Sequence, residues 1–425
     1  MQIIKYPERK EWEFILKRPH LDLLFFKESV KNILQEVKTN GDNAIKQFTQ
    51  NFDGIFLEDL RVTEEEMKNA ETVVSIELKK AIKQAADNIA LFHEKQITRE
   101  EIVETMPGIQ CWRRSVAIEK VGFYIPGGTA PLFSTLLMLG IPAKLAGCKE
   151  IVVCSPPNPQ GKIDPAILYT ASFLGIKTIY KIGGAQAIGA MAYGAETIPQ
   201  VNKIFGPGNN YVTTAKQLLQ LEGIAIDMPA GPSELAIYAD ETSNPRFIAA
   251  DLLSQAEHGI DSQVLLVTTH PILIDAVSTE LDKQLIEMSR KEIAIRGLEN
   301  SKIVLVRSEK EAIELLNEYA PEHLMLACAN ADDLAGQVIN AGSVFLGHYS
   351  PEAAGDYATG TNHTLPTNGF AKTYSGVSID SFVKKISFQK LDPVGLKNIS
   401  KTVITMAEAE GLNAHANAIK IRVNV

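Results

Sequence analysis

Four of the eight histidines, His258, His323, His363 and His415, stand beside acidic, amide or glycine residues in the second half of this 425-residue chain. Imidazole beside carboxylate is the pairing that metal sites and proton relays use. The densest stretch is Gly355-Asp356-Tyr357-Ala358-Thr359-Gly360-Thr361-Asn362-His363, which has neither a helical nor a strand period and reads as a site-forming loop. In Gln255-Ala256-Glu257-His258-Gly259 the amide and the imidazole are three residues apart at the end of a predicted helix, so they share a face and can converge on one ligand. A histidine followed by glycine is equally an ordinary helix C-terminus, and an aspartate among glycines is equally a turn former. Glu322 and His323 follow Pro321 at the entry of an apolar run, as a general base would, or as a surface pair without a role.

Three glycine turns sit where predicted strands pass into helices: Gly127-Gly128, Gly183-Gly184-Ala185-Gln186 and Phe205-Gly206-Pro207-Gly208-Asn209. Backbone amides at such turns can receive a phosphate. None completes the G-x-G-x-x-G dinucleotide fingerprint, but three in succession point to one ligand-binding edge. Cys148 and Cys154 flank an apolar run with no histidine nearby in sequence and read as core packing, not as nucleophiles.

Positioning these residues requires a framework, and the hydrophobic pattern supplies one. Residues 25–39 and 64–93 have helical spacing and read as scaffold. After Val121, β-rich runs at 121–125, 151–154, 178–182 and 203–205 alternate with helical segments, the rhythm of parallel βα units. A second series places strands at 234–238, 263–268, 302–306, 324–327 and 343–345. The Met228-Pro229-Ala230-Gly231-Pro232 cluster reads as the joint between two α/β units. Helical patterns at 394–410 and 412–421 form a tail too poor in apolar surface for its own core, expected to pack on another part of the molecule or on another subunit.

Composition narrows the partners. A net charge of -9 with scattered Lys and Arg argues against nucleic acid. Residues 131–148, the most apolar stretch, are broken by Ser134, Gly140, Pro142 and Lys144, and read as a buried helix, not a membrane span. Four cysteines without a CxxC pair fit a reducing cytoplasm.

Taken together, Tyr124-Ile125-Pro126-Gly127-Gly128, Gly183-Gly184-Ala185-Gln186-Ala187, Phe205-Gly206-Pro207-Gly208-Asn209, Pro229-Ala230-Gly231-Pro232-Ser233-Glu234, Gln255-Ala256-Glu257-His258, Pro321-Glu322-His323 and the 355–363 loop closely resemble the histidinol dehydrogenases, in order and spacing from about residue 115 onward. Thr359, where the family commonly has serine, is a conservative change. The resemblance implies an α/β fold of two Rossmann-like parallel-sheet domains lacking the full dinucleotide fingerprint, with small N- and C-terminal helical extensions. Its implied boundaries are 1–16 for the first extension, 17–125 with 234–377 for one domain, 126–233 for the other and 378–425 for the tail. The implied activity is zinc-dependent oxidation of L-histidinol through L-histidinal to L-histidine with two NAD, in a homodimer with shared sites. By motif, Gln255, His258, Asp356 and His415 are the implied zinc ligands, His415 coming from the partner. Glu322 and His323 are the implied acid–base pair. Ser233, Glu352, His363 and Glu410 are implied around the substrate with His323 and the zinc ligands, and Tyr124, Gln186 and Asn209 near NAD. Two other functions use the same residues: a zinc hydrolase with Glu322 activating water, and a non-catalytic small-molecule binder.

Overall fold

The computed structural model describes residues 1–18, 23–127, 130–229 and 231–423, so Gly128 of the first glycine turn and Ala230 of the joint lie outside the described residues. Among the described residues the strands form three sheets. Five parallel strands lie in the order Thr178–Lys181, Glu150–Ser155, Lys120–Tyr124, Lys203–Phe205 and Ala225–Ile226. Six more, also parallel, run Gln2–Lys5, Lys302–Leu305, Gln263–Thr268, Glu234–Ala239, His323–Ala327 and Ser343–Leu346. The two βα series of the sequence are these two sheets.

Each parallel sheet is apolar on both faces, as crossover helices demand. In the six-stranded sheet Leu235, Ile237, Val264, Leu266 and Met325 enter one core cluster, while Ala236, Tyr238, Leu265, Val267 and Leu324 enter the other. The five-stranded sheet divides likewise, with Val121, Phe123 and Val153 on one side and Tyr124, Val152 and Cys154 on the other. Short polar residues start the helices: Asp164, Asn209, Asn244 and Ser308 each accept a first-turn amide, and proline follows Asp164 and Asn244 at the first helical position. Helix Phe133–Ala146 is buried at every residue from Ser134 to Ala143, as the interrupted apolar stretch predicts. No helix among the described residues is long and apolar enough to cross a membrane.

Three features depart from the sequence reading. Residues 2–5 of the N-terminal extension are the edge strand of the six-stranded sheet. The tail opens with strand Val383–Leu391, which pairs antiparallel with Ile109–Ala117 over its whole length, and Val103–Met106 completes a three-stranded sheet. These strands are largely exposed, with Lys, Arg, Gln and Glu among few buried positions, so they lack the apolar run that announces a core strand. Finally, helices Leu23–Asp53, Glu64–Val73 and Ile76–Glu94 pack on helices of the five-stranded sheet, whereas the expected boundaries grouped 17–125 with 234–377.

Candidate functional site

Glu322 and His323 are buried, not a surface pair, at the amino end of strand His323–Ala327. Helix Glu309–Tyr319 stops at Ala320, whose φ of 51° turns the chain into Pro321 and delivers both side chains beneath strand Glu234–Ala239. The Glu234 amide donates to Glu322 Oε2 at 2.8 Å, and the Glu234 carbonyl lies 3.2 Å from His323 Nδ1. A carbonyl only accepts, so Nδ1 carries the proton there. Nε2 is left facing Asp356 Oδ1 at 3.6 Å and Glu352 Oε1 at 3.9 Å.

Arg18 and Glu234 support this pair, and neither was singled out from the sequence as a working residue. The Glu234 carboxylate takes Arg18 Nε at 2.5 Å, Arg18 Nη2 at 2.9 Å and the Asn368 amide at 2.8 Å. Arg18 also donates to the carbonyls of Tyr319 and Ala320, at 2.7 and 3.3 Å. One guanidinium thus ties together the two segments that hold the pair. Glu234 lay inside a quoted motif and could have been found, but an isolated arginine carries no such signal.

The 355–363 segment is not all loop: Gly355, Asp356 and Tyr357 close a short helix, Glu352–Tyr357, entered from Pro351. Gly355 is glycine for packing, since a β-carbon there would lie 2.6 Å from the Phe345 ring. Gly360, at φ 109°, lets the loop press on the Asn88 carbonyl, 2.7 Å from where a β-carbon would be. His363 Nδ1 faces the Asp356 carbonyl at 2.9 Å and Nε2 faces Thr135 Oγ1 at 3.1 Å, so both ring nitrogens are engaged. Thr135 belongs to helix Phe133–Ala146, which follows strand Lys120–Tyr124. The carboxyl side of the five-stranded sheet therefore meets the amino end of the six-stranded one, which reconciles this location with the usual preference of ligands for carboxyl ends.

Electrostatics divides the cluster into charged and neutral members. Burial alone would lower the His323 pKa, but Glu322, Asp356 and Glu352 outweigh it and raise it to about 10. Burial lifts Glu322 to about 8 even though His323 and the Glu234 amide favour its charge. Burial and the neighbouring Asp356 charge keep the proton on Glu352. Asp356 stays ionised despite burial, held below the usual carboxylate range by His323 and His363. Lost hydration lowers both His258 and His363 against the pull of Asp356, leaving their imidazoles neutral, the form that binds a metal.

Gln255 is fully buried in the last turn of helix Pro245–Ala256, and among the described residues neither amide atom has a hydrogen-bond partner. Glu352 Oε1 is in the same condition, while its Oε2 accepts from Ser254 at 3.2 Å. An unsatisfied buried polar group costs about 1–3 kcal/mol, a cost that a bound ligand removes. His258, just past the helix end, is exposed at the rim yet close enough to feel Asp356, His323 and His363. His323, Glu352 and Asp356 offer ligand atoms within 4.8 Å of one another. Amide oxygen, imidazole nitrogen and carboxylate oxygen together suit a divalent cation of the zinc type.

The remaining expected residues fall in two places. Tyr124, pushed up to about 12 by burial, accepts the Gly184 amide at 3.1 Å. Gln186 is buried in the first turn of helix Gly184–Tyr193, and Asn209 caps helix Asn210–Leu221 through the amides of Tyr211 and Val212. All three lie at the carboxyl edge of the five-stranded sheet. Ser233 immediately precedes strand Glu234–Ala239. Glu410 and His415 are exposed on the C-terminal helices, and among the described residues no hydrogen bond or ion pair joins their side chains to the cluster. The four cysteines are unpaired, and burial raises Cys148 to about 11, raises Cys328 to about 12 and raises Cys154 further, against a thiolate role for these three.

Residues 16–423 match the family model described as histidinol dehydrogenase. A histidinol dehydrogenase of Bacteroides fragilis is 56% identical over 99% of both chains, and one of Bacteroides thetaiotaomicron is 55% identical over 100% of this chain and 99% of its own. The crystal structure of histidinol dehydrogenase from Elizabethkingia anophelis superposes with a TM-score of 0.97 at 52% identity, covering 100% of this chain and 98% of that one.

Proposed function

Because the chain belongs to the histidinol dehydrogenase family, we propose that it oxidises L-histidinol through L-histidinal to L-histidine, consuming two NAD and one water with zinc bound. The observation that carries this reading is the buried Glu322–His323 pair set against Gln255, whose amide atoms are unpartnered. Gln255, His258 and Asp356, with His415 of the partner subunit, would hold the zinc, whose chemistry there is to grip and orient the amino alcohol. NAD, bound near Tyr124, Gln186 and Asn209, supplies the hydride acceptor for both oxidations.

His323 takes the alcohol proton on Nε2 as hydride leaves the carbinol carbon, while the Glu234 carbonyl holds Nδ1–H and fixes the ring. With Asp356 engaged by the cation, that carboxylate would favour a proton on His323 less, and the neutral imidazole would serve this step. Ionised Glu322 then removes a proton from the water that adds to the aldehyde while His323 returns its proton to the aldehyde oxygen, and the neutral His323 so regenerated takes the hydroxyl proton of the hydrate as the second hydride leaves for NAD. Ser233, Glu352, His363 and Glu410 line the substrate in this scheme, with His363 acting chiefly through the Asp356 backbone it holds. Exposure of His415 and Glu410 in the single chain accords with sites shared across a homodimer. Four unpaired cysteines accord with a cytoplasmic location.

Adding L-histidinol and NAD to zinc-loaded protein should generate NADH absorbance that chelation abolishes and zinc restores. Absence of the signal from zinc-replete, folded protein overturns the reading.

A further inference from the structure

Helix Ile76–Glu94 reads as plain scaffold in the sequence, yet its last turns touch the segment that carries the site. Asn88 Nδ2 donates to the Ala358 carbonyl at 2.7 Å, across 270 positions of the chain. Two residues further on, a β-carbon on Gly360 would stand 2.7 Å from the Asn88 carbonyl oxygen and 3.3 Å from Phe92 Cβ. Asn88 and Phe92 are four apart and share a face, so one patch of the helix receives the chain from 358 to 360. Helix Phe133–Ala146, packed against helix Ile76–Glu94, grips the residues that follow. Asn362 Nδ2 donates to the Met138 carbonyl at 2.6 Å, and His363 Nε2 lies 3.1 Å from Thr135 Oγ1. Ile82 and Ile89 of one helix and Leu136 and Leu139 of the other share a core with Val121 and Phe123 of the five-stranded sheet. Residues 358–363, which follow the last strand of the six-stranded sheet, are thus held by a two-helix clamp from the other unit.

What the clamp holds is the end of helix Glu352–Tyr357, which presents Glu352 and Asp356 to His323. A helix this short has little stability of its own, and its last carbonyls lack donors from within. Two carbonyls at this end are met from outside, Asp356 by His363 Nδ1 at 2.9 Å and Ala358 by Asn88. His363 already belongs to the expected site, whereas Asn88 stands outside it.

We propose that Asn88 is a positioning residue for the reaction: its amide, with Gly360 seated on its carbonyl, fixes the end of helix Glu352–Tyr357 so that the Asp356 carboxylate faces the cation. This assignment rests on the zinc-dependent reading above. Glu322 and His323 come from a different strand, so Asn88 governs metal and substrate affinity and leaves proton transfer alone.

The test compares Asn88→Asp with Gln96→Ala. The first keeps the shape of the side chain and sets a carboxylate oxygen, which only accepts, against the Ala358 carbonyl. The second removes a bond from the same stretch of chain further on, where the Ile379 amide donates to Gln96 Oε1 at 3.1 Å. Zinc affinity is read on folded protein by competition with a chromophoric chelator, and KM for L-histidinol and kcat are then read at saturating zinc and NAD. Asn88→Asp should bind zinc about tenfold more weakly and raise KM about threefold or more, with kcat within about twofold of wild type. Gln96→Ala should match wild type in all three. Should Asn88→Asp fold poorly, Asn88→Ala, which removes the donor without adding repulsion, should weaken zinc binding about threefold. Wild-type zinc affinity in the Asn88 variants, a loss confined to kcat, or an equal loss in Gln96→Ala overturns the assignment. Wild-type protein that binds no zinc or reduces no NAD overturns instead the function on which the assignment rests.

Discussion

Glu322 shows how one buried side chain couples chemistry to stability. Its folded-state pKa of about 8 lies above that of an exposed glutamate, so the proton it keeps stabilises the fold at low pH, and that contribution is lost as pH rises through about 8. His323, raised to about 10, acts in the same direction. The melting temperature of metal-free protein should therefore fall from about pH 6 to about pH 9, and should fall less in Glu322→Gln, which cannot titrate. Replacing His323 with Asn should slow turnover at least about a hundredfold while zinc and histidinol still bind, because only the proton acceptor is removed. Unchanged turnover would remove His323 from that role. Most of these residues were legible in the sequence because acid, amide and imidazole clustered in short motifs. Arg18 was not, since its importance arises from a contact with Glu234 that sequence separation conceals.

The elements position the site through a few close contacts. Arg18 bridges the Glu234 strand and the Tyr319–Ala320 turn, and the ion pair is largely buried, with 16% and 4% of the two side chains exposed. Arg18→Gln should cost about 3–5 kcal/mol, measured as a lowered denaturant midpoint, because the Glu234 charge stays buried without its counter-ion. A midpoint equal to wild type would show that the strand and turn are held by other contacts. Gly355→Ala should displace helix Glu352–Tyr357 from Phe345, destabilise by about 1–3 kcal/mol and weaken zinc retention through Asp356. The parallel strands were legible because burial on both faces makes them near-continuous apolar runs. Strand Val383–Leu391 was not, because its burial pattern is mostly exposed and its partner Ile109–Ala117 lies far away in sequence.

For the whole molecule, the arrangement sets the amino end of one parallel sheet against the carboxyl side of the other, so that the buried Glu322–His323 pair and the glycine turns come from different units. In the proposed function the C-terminal helices of a second chain supply His415. Mixing inactive His415→Asn with inactive Gln255→Ala protein should therefore restore activity once subunits exchange. Proven exchange without recovery would place both residues in one chain's site or in none. The most direct measurement is a zinc-edge anomalous difference map from crystals of the zinc-loaded protein. One peak per subunit, bounded by Gln255, His258, Asp356 and the partner's His415 with His323 alongside, is the predicted result. A peak elsewhere, or those four side chains turned away from it, would contradict the account.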